Sequence, residues 1–289
     1  MNETIEKAKD LKELARFLSE INKQKVSHIG YCGEKVEEIY ETLKQDFIDK
    51  DGDIKFLVAR GNSGEIIAAI GMDIDDTRAE VWGPFNQPGS ATLQDQLWTQ
   101  IVNDNPTVLD FHFFINKENI GQQAFMNELK AIRTGEHLIL EVQKQNFVSL
   151  DKIKSVSFKQ GDFKAFEKLH NETFPNTYYD AKTIIHRLST ENILKVLKNE
   201  SDELQGYAYF EMDTKMEEGS LEYIGISANA QNQGLGTLLL KEVLTDMFSF
   251  PQINEIRLSV DYSNSKANHV YMKAGFKPKN ILISYCLKP

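Results

Sequence analysis

Apolar residues recur three and four positions apart through most of the first 50 residues. TIEKAKDLKELARFLSEI (4–21) and GEKVEEIYETLKQDFI (33–48) therefore predict two amphipathic helices. The period then changes. IKFLVAR (54–60) and EIIAAIGMDI (65–74) flank the turn residues GNSG and predict a hairpin. AEVWGPF (79–85) predicts a strand, ATLQDQLWTQIV (91–102) a helix and VLDFHFFI (108–115) a strand. NIGQQAFMNELKAI (119–132) predicts a helix and HLILEVQ (137–143) a closing strand.

The second half repeats this order. IKSVSF (153–158) reads as a strand, then DFKAFEKLHNETF (162–174) and DAKTIIHRLS (180–189) as helices, with Asp162 placed as an N-cap. NILKVLK (192–198), GYAYFEMD (206–213) and LEYIGI (221–226) read as strands. The helix GLGTLLLKEVLTDMF, the strand NEIRLSV, the helix SKANHVYMKAG and the strand ILISYCL complete the chain. A repeat of about 140 residues lies far above the 20–50 of solenoids. It predicts two tandem α/β domains, 1–150 and 151–289, each a mixed sheet flanked by helices. The junction, near 145–153, lacks Pro and Gly, so a short and fairly stiff connection is expected.

Charge separates the halves. Residues 1–150 hold 16 Lys and Arg against 25 Asp and Glu, a net of −9, whereas the remainder carries −1. This balance disfavours nucleic acid and is compatible with a cationic substrate. No apolar run reaches membrane-spanning length, and the charged, helical N-terminal stretch is unlike a signal peptide. The two cysteines, Cys32 and Cys286, lie far apart, so a reduced, cytoplasmic protein is expected. The six histidines are scattered without an i, i+4 pair, so no metal site is expected.

The candidate chemistry gathers at QNQGLG, Gln231 to Gly236, between the strand LEYIGI and a helix. Glycines there serve a tight turn, or they let backbone N–H groups approach an anion at a helix N-terminus. The pattern lacks the third glycine of a dinucleotide fingerprint and the Gly-Lys-Ser/Thr of a P-loop. Gly225, inside the strand, marks a bulge or a close backbone approach.

About thirty residues on, Asn264, Ala267, Tyr271, Gly275 and Phe276 follow in the order Asn-x-x-Ala-x-x-x-Tyr-x-x-x-Gly-Phe. Together with Gln231, Gly234 and Gly236, this makes residues 220–277 resemble the GNAT superfamily of acyl-CoA-dependent N-acetyltransferases. The resemblance implies acetyl-CoA as acyl donor and a primary amine as acceptor. It implies that Ile224, Gly225 and Ile226 pair with the pantetheine arm, with the Ile226 amide at the thioester carbonyl. Amides of Asn232, Gln233, Gly234, Leu235, Gly236 and Thr237 would hold the pyrophosphate. Asn264 would contact the cofactor arm and Tyr271 would protonate the departing thiolate. Asn264 also suits a helix N-cap, and Gly275-Phe276 a helix end.

The attacking nitrogen needs a proton acceptor. Glu222 is the leading candidate, expected by period two on the face of Ile224 and Ile226. The glutamate that ribosomal-protein N-acetyltransferases carry five residues before the asparagine is here Ser259. Tyr178 and Tyr179 fall in FPNTYYD, the family's acceptor-side loop, where they either line a cleft or pack on the surface. The first half resembles a degenerate copy. Pro84 and Pro88 stand in its glycine-loop region, Asn119 matches Asn264, Met126 replaces the tyrosine and Lys130-Ala131 replaces Gly-Phe. A methionine donates no proton, so this half is expected not to catalyse. A small cationic amine is the expected acceptor. A non-catalytic acyl-CoA sensor is the alternative, and the oligomeric state stays open.

Overall fold

The structure, a computed structural model, describes residues 4–50, 52–175 and 177–288. Two compact units form: residues 1–137 with 280–289, and residues 138–279. In chain order the elements begin with β1 (Thr4–Lys7), α1 (Leu11–Asn22), α2 (Val36–Asp46), β2 (Phe56–Arg60), β3 (Ile66–Asp75) and β4 (Arg78–Asn86). There follow α3 (Gln94–Asp104), β5 (Asp110–Asn116), α4 (Ile120–Glu128) and β6 (Ile132–Gln143). The repeat comprises β7 (Val156–Ser157), α5 (Phe163–Thr173), α6 (Ala181–Arg187), β8 (Asn192–Lys198), β9 (Leu204–Asp213) and β10 (Glu218–Ile226). It continues through α7 (Leu235–Ser249), β11 (Glu255–Asp261) and α8 (Ser265–Ala274), and the chain closes with β12 (Lys277–Leu287). Among the described residues no helix is long and apolar enough to cross a membrane.

The first unit orders its strands β1-β2-β3-β4-β5-β12, with β4 and β5 parallel. Alternation along β2 sends Leu57 and Ala59 to the core shared with Trp98 and Phe113, and Phe56 and Val58 to the core shared with Leu14, Ile39 and Phe47. The chain starts with a strand rather than the expected helix from Thr4. TIEK pairs antiparallel with β2, and the Asp10 carboxylate then accepts from the amides of Lys12 and Glu13, so α1 begins after it.

The last strand belongs to this first unit, not to the second half in which the sequence places it. β12 pairs antiparallel with β5 from Leu282 opposite Asn116 to Leu287 opposite Phe111. Ile283 and Tyr285 enter the first unit's core. Conversely, β6 runs on into the second unit from Leu138.

The second unit orders its strands β6-β11-β10-β9-β8-β7. Phe166 and Leu169 of α5, and Ile184 of α6, pack with Tyr207, Tyr209 and Tyr223 on one face. On the other face α7 buries Leu239, Leu240, Val243, Leu244 and Met247. Each such side chain contributes about 1.5–3 kcal/mol of burial. Glu242 is fully buried among them, and its carboxylate accepts from the amides of Lys154 and Ser155 at 2.8 Å each. With Leu150 N bonded to Thr245 Oγ1 at 3.1 Å, α7 holds the junction segment in place. Asp162 stands at the N-cap of α5, but its side chain makes no cap bond. Its carboxylate instead accepts from the Lys159 amide at 3.0 Å and pairs with Lys198 at 2.7 Å.

Candidate active site

β10 and β11 run parallel, and among the described residues they pair from Glu218–Ser220 against Glu255–Arg257 and no further. Beyond Ser220, β10 keeps its other neighbour, β9, as far as Ile226 opposite Gly206. The edge of β10 that faces β11 is thus left open. Ser227 N donates to Gln205 O at 2.8 Å, towards β9. Amide directions alternate along a strand, so Gly225 also points to β9, while the amides of Ile224 and Ile226 point to the open edge.

That edge leads into the loop before α7. Gln231 Nε2 donates to Ile226 O at 3.1 Å, and Gln233 Nε2 to Asn229 O at 3.0 Å. Asn232 and Gly234 both take left-handed backbone, with φ of 61° and 79°. Gly234 is the N-cap, so the first glycine has a conformational reason. A Cβ at Gly236 would sit 3.6 Å from Ile226 Cγ1, an ordinary contact, so packing does not demand the second. The bond from Leu238 N to Gly234 O opens the helix. The N–H groups of Leu235, Gly236 and Thr237 precede it and have no helical acceptor, and no side chain caps α7.

Two glycines of β10 reveal a reversal of its faces. A Cβ at Gly219 would meet Met247 of α7 at 2.6 Å, whereas one at Gly225 would meet Tyr207 at 2.8 Å and Thr173 of α5 at 3.4 Å. Six residues apart, they should share a face. They do not, because the register against β9 shifts between Leu221 and Tyr223. The bulge sits at Glu222 and not at Gly225, whose lack of a side chain instead admits the Tyr207 ring.

The expected common face of Glu222, Ile224 and Ile226 is therefore corrected. Ile226 lies against the start of α7. Glu222 lies on the α5/α6 face, where Ser220 Oγ donates to its carboxylate. Glu222 keeps an exposed surface, yet the atoms around its carboxylate desolvate it enough to raise its pKa, with the Ser220 bond opposing and the Glu211 charge adding to it. Nearby, Arg187 of α6 forks onto Glu211 at 3.0 and 2.8 Å and covers the Tyr179 ring at 4.4 Å.

Tyr271 and Asn264 lie on and before α8, which packs on α7. Asn264 is the N-cap, its Oδ1 accepting from Ala267 N at 3.1 Å. Tyr271 is half-buried edge-on to Phe276, and desolvation pushes its phenol up to about 12. Gly275, in left-handed backbone, ends α8. Ser259 is exposed on β11.

Several side chains here went unassigned in the sequence. Tyr207 and Tyr209 alternate within GYAYFEMD and so share one face, a pattern that could have marked them. Tyr223, by contrast, reaches that face through the bulge. Of the two loop tyrosines, Tyr179 packs beneath Arg187, while Tyr178 is 88% exposed.

The first unit builds the same opening and fills it. β4 and β5 pair from Arg78–Glu80 against Asp110–His112. β5 has β12 on its other edge, so its free edge beyond His112 faces the gap. Residues 28–30, from the connection between α1 and α2, bond there: Gly30 N to Phe114 O at 2.6 Å and Asn116 N to His28 O at 3.1 Å. Ile29 and Cys32 pack with Trp82 and Phe85 of β4. A buried network fixes this segment. His28 Nδ1 donates to Asn22 O at 2.8 Å, Asn280 Nδ2 reaches His28 Nε2 at 3.3 Å, and Asn116 Nδ2 donates to Asn280 Oδ1 at 3.1 Å.

Residues 163–276 match the family model of the Acetyltransferase (GNAT) family, so the second unit carries a GNAT domain. The whole chain is similar in fold to a GCN5-related N-acetyltransferase from Sphaerobacter thermophilus, at 15% identity and a TM-score of 0.73, over 99% of this chain and 96% of that one. It is also similar to a tandem GNAT protein from the clavulanic acid biosynthesis pathway, at 12% identity and 0.66, over 99% and 98%. A third likeness, at 12% and 0.66, is to the GCN5-related glucosamine N-acetyltransferase region of a fungal multi-domain GH3 β-N-acetylglucosaminidase, over 98% of this chain and 38% of that one. The fold is thus the mixed α/β fold of GNAT proteins.

Proposed function

We propose that this chain transfers the acetyl group of acetyl-CoA to a primary amine by direct attack of the amine nitrogen. The family match supports acyl-CoA-dependent N-acetyl transfer in general. One observation carries the specific reading: an open strand edge at Ile224–Ile226 runs straight into an uncapped helix start.

These groups fit an acyl-CoA. The edge of Ile224, Gly225 and Ile226 offers backbone bonds to a pantetheine arm. The amides from Asn232 to Thr237, with the positive end of α7, suit a pyrophosphate. Gln231 shapes that loop through its bond to Ile226 O. Asn264 orients the start of α8 beside the cofactor arm. Bound here, acetyl-CoA supplies a thioester carbonyl activated towards nitrogen.

The residues then divide the work. The Ile226 N–H faces the carbonyl oxygen, where one fixed donor is worth ~3 kcal/mol in the transition state. Glu222, acting through water from the α5/α6 face, accepts the proton that frees the amine. Tyr271, with its phenol at about 12, holds its proton near neutrality and gives it to the departing sulfur. The first unit is non-catalytic, because residues 28–30 fill its strand gap and Met126 stands in place of the tyrosine. The acid excess of residues 1–150 supports a small cationic acceptor and speaks against nucleic-acid partners, and the two distant cysteines support a cytoplasmic setting.

The placement of Glu222 away from the Ile226 side chain favours one second reading, an acyl-CoA-binding module without turnover. Two measurements decide. Titration calorimetry with acetyl-CoA should show binding that Gly236→Glu weakens at least tenfold, since a carboxylate there repels the pyrophosphate but suits the helix start. Thiolate release should then depend on an added amine. Binding without amine-dependent release leaves the sensor, and no binding at all removes both readings.

A further inference from the structure

Tyr223 does more than fill the core. Its phenol oxygen accepts two hydrogen bonds from the connection between α5 and α6: Thr177 Oγ1 at 2.6 Å and Tyr179 N at 3.1 Å. The same connection is held a third time. Tyr179 O accepts from His170 Nε2 at 2.9 Å. A carbonyl cannot donate, so Nε2 carries the proton, and Nδ1 accepts from the Tyr207 hydroxyl at 2.6 Å. Desolvation lowers the His170 pKa and keeps this neutral tautomer. The Tyr223 ring itself stands against His170 at 5.0 Å and Phe174 at 5.1 Å.

The bulge makes this arrangement possible. In a regular strand, Glu222 and Tyr223 would point to opposite faces. The register shift puts both on the α5/α6 face. One strand thereby carries the candidate base, the anchor of the loop and, three residues on, the candidate carbonyl donor Ile226.

The first unit supplies an internal contrast. Aligning AEVWGPF with LEYIGIS pairs Val81 with Tyr223 in sequence, and in the structure Val81 packs in the core with Leu97 and Trp98 of α3 rather than towards α1 and α2. A valine has no hydroxyl to hold a loop. There the connection between α1 and α2 is longer, residues 23–35 against 174–180, and its residues 28–30 bond into the strand gap.

We propose that Tyr223 is a positioning residue: its hydroxyl fixes residues 177–179 beside Glu222 and so sets where the acceptor amine lies. This rests on the acetyl-transfer reading.

The test uses the full chain with Tyr223→Phe, which keeps the ring, and Thr177→Val as a second variant. Hydrogen exchange reads the anchor without any ligand. The Tyr179 amide should exchange at least tenfold faster in Tyr223→Phe, with the Ser227 amide unchanged. Steady-state kinetics, with the amine of a primary-amine panel that wild type turns over best, reads the role. KM for the amine should rise about fivefold to tenfold, as expected for losing one or two hydrogen bonds, with acetyl-CoA affinity unchanged. Thr177→Val should raise KM less, and the double variant no more than Tyr223→Phe alone.

Faster exchange with an unchanged KM overturns the positioning role and leaves Tyr223 a core residue. Unchanged exchange overturns the anchor. If wild type binds acetyl-CoA but turns over no amine, the transfer reading fails and the positioning role falls with it, while exchange still decides the anchor.

Discussion

Glu222 shows how one extra residue in a strand redirects a side chain. Its neighbours Leu221 and Tyr223 oppose consecutive residues of β9, Phe210 and Tyr209, so Glu222 has no partner and its carboxylate turns towards Ser220 and Arg187. Desolvation raises its pKa, and this sets a sign for the rate. A base works deprotonated, so activity should be full at high pH and fall as pH drops through a value above 4.5, the ordinary carboxylate value. In Glu222→Gln that acid limb should vanish and the amine-dependent rate should drop about 100-fold. A pH–kcat/KM profile of both proteins checks it. An unchanged limb in the variant assigns the base elsewhere.

At the scale of elements, α7 serves two purposes. Its start offers free amides to the candidate pyrophosphate site. Its middle buries Glu242, whose carboxylate replaces water for the amides of Lys154 and Ser155. One buried and one part-buried donor would lose their acceptor in Glu242→Leu, at a cost of roughly 2–3 kcal/mol. Urea unfolding followed by circular dichroism measures this, and a change below 1 kcal/mol would show that water takes over. The paired glycines before α7 also separate in kind. Gly234 answers a φ of 79°, whereas Gly236 meets no such demand, which is why it is the position to substitute.

Across the whole molecule, the repeat is kept as architecture, while the proposed chemistry uses only one of its two copies. Both units open their parallel strand pair after three residues. The first closes the opening with its own residues 28–30, locked by Asn22, His28, Asn116 and Asn280. One chain should therefore bind one acetyl-CoA. Calorimetry should give a stoichiometry near one, with that single site weakened at least tenfold by Gly236→Glu. A second equivalent that survives the substitution would show that the first unit's gap opens.

The sequence by itself determined the order of helices and strands after β1, the tandem repeat and the glycine loop, because periodicity and turn chemistry are local. It also located Asn264 at a helix N-cap and Tyr271 within the helix that follows. Tertiary structure decided the rest. The bulge at Glu222 depends on pairing with β9, which no spacing within β10 records. β12 lies in the first unit because β5 needs an edge partner and the core there takes Ile283 and Tyr285, a choice made between distant segments. The plug at residues 28–30 and the Tyr223 anchor arise likewise, from loops that meet strands far away in the chain. Local patterns fix what each segment is. Which edge it finds is set by long-range competition for hydrogen bonds and buried area.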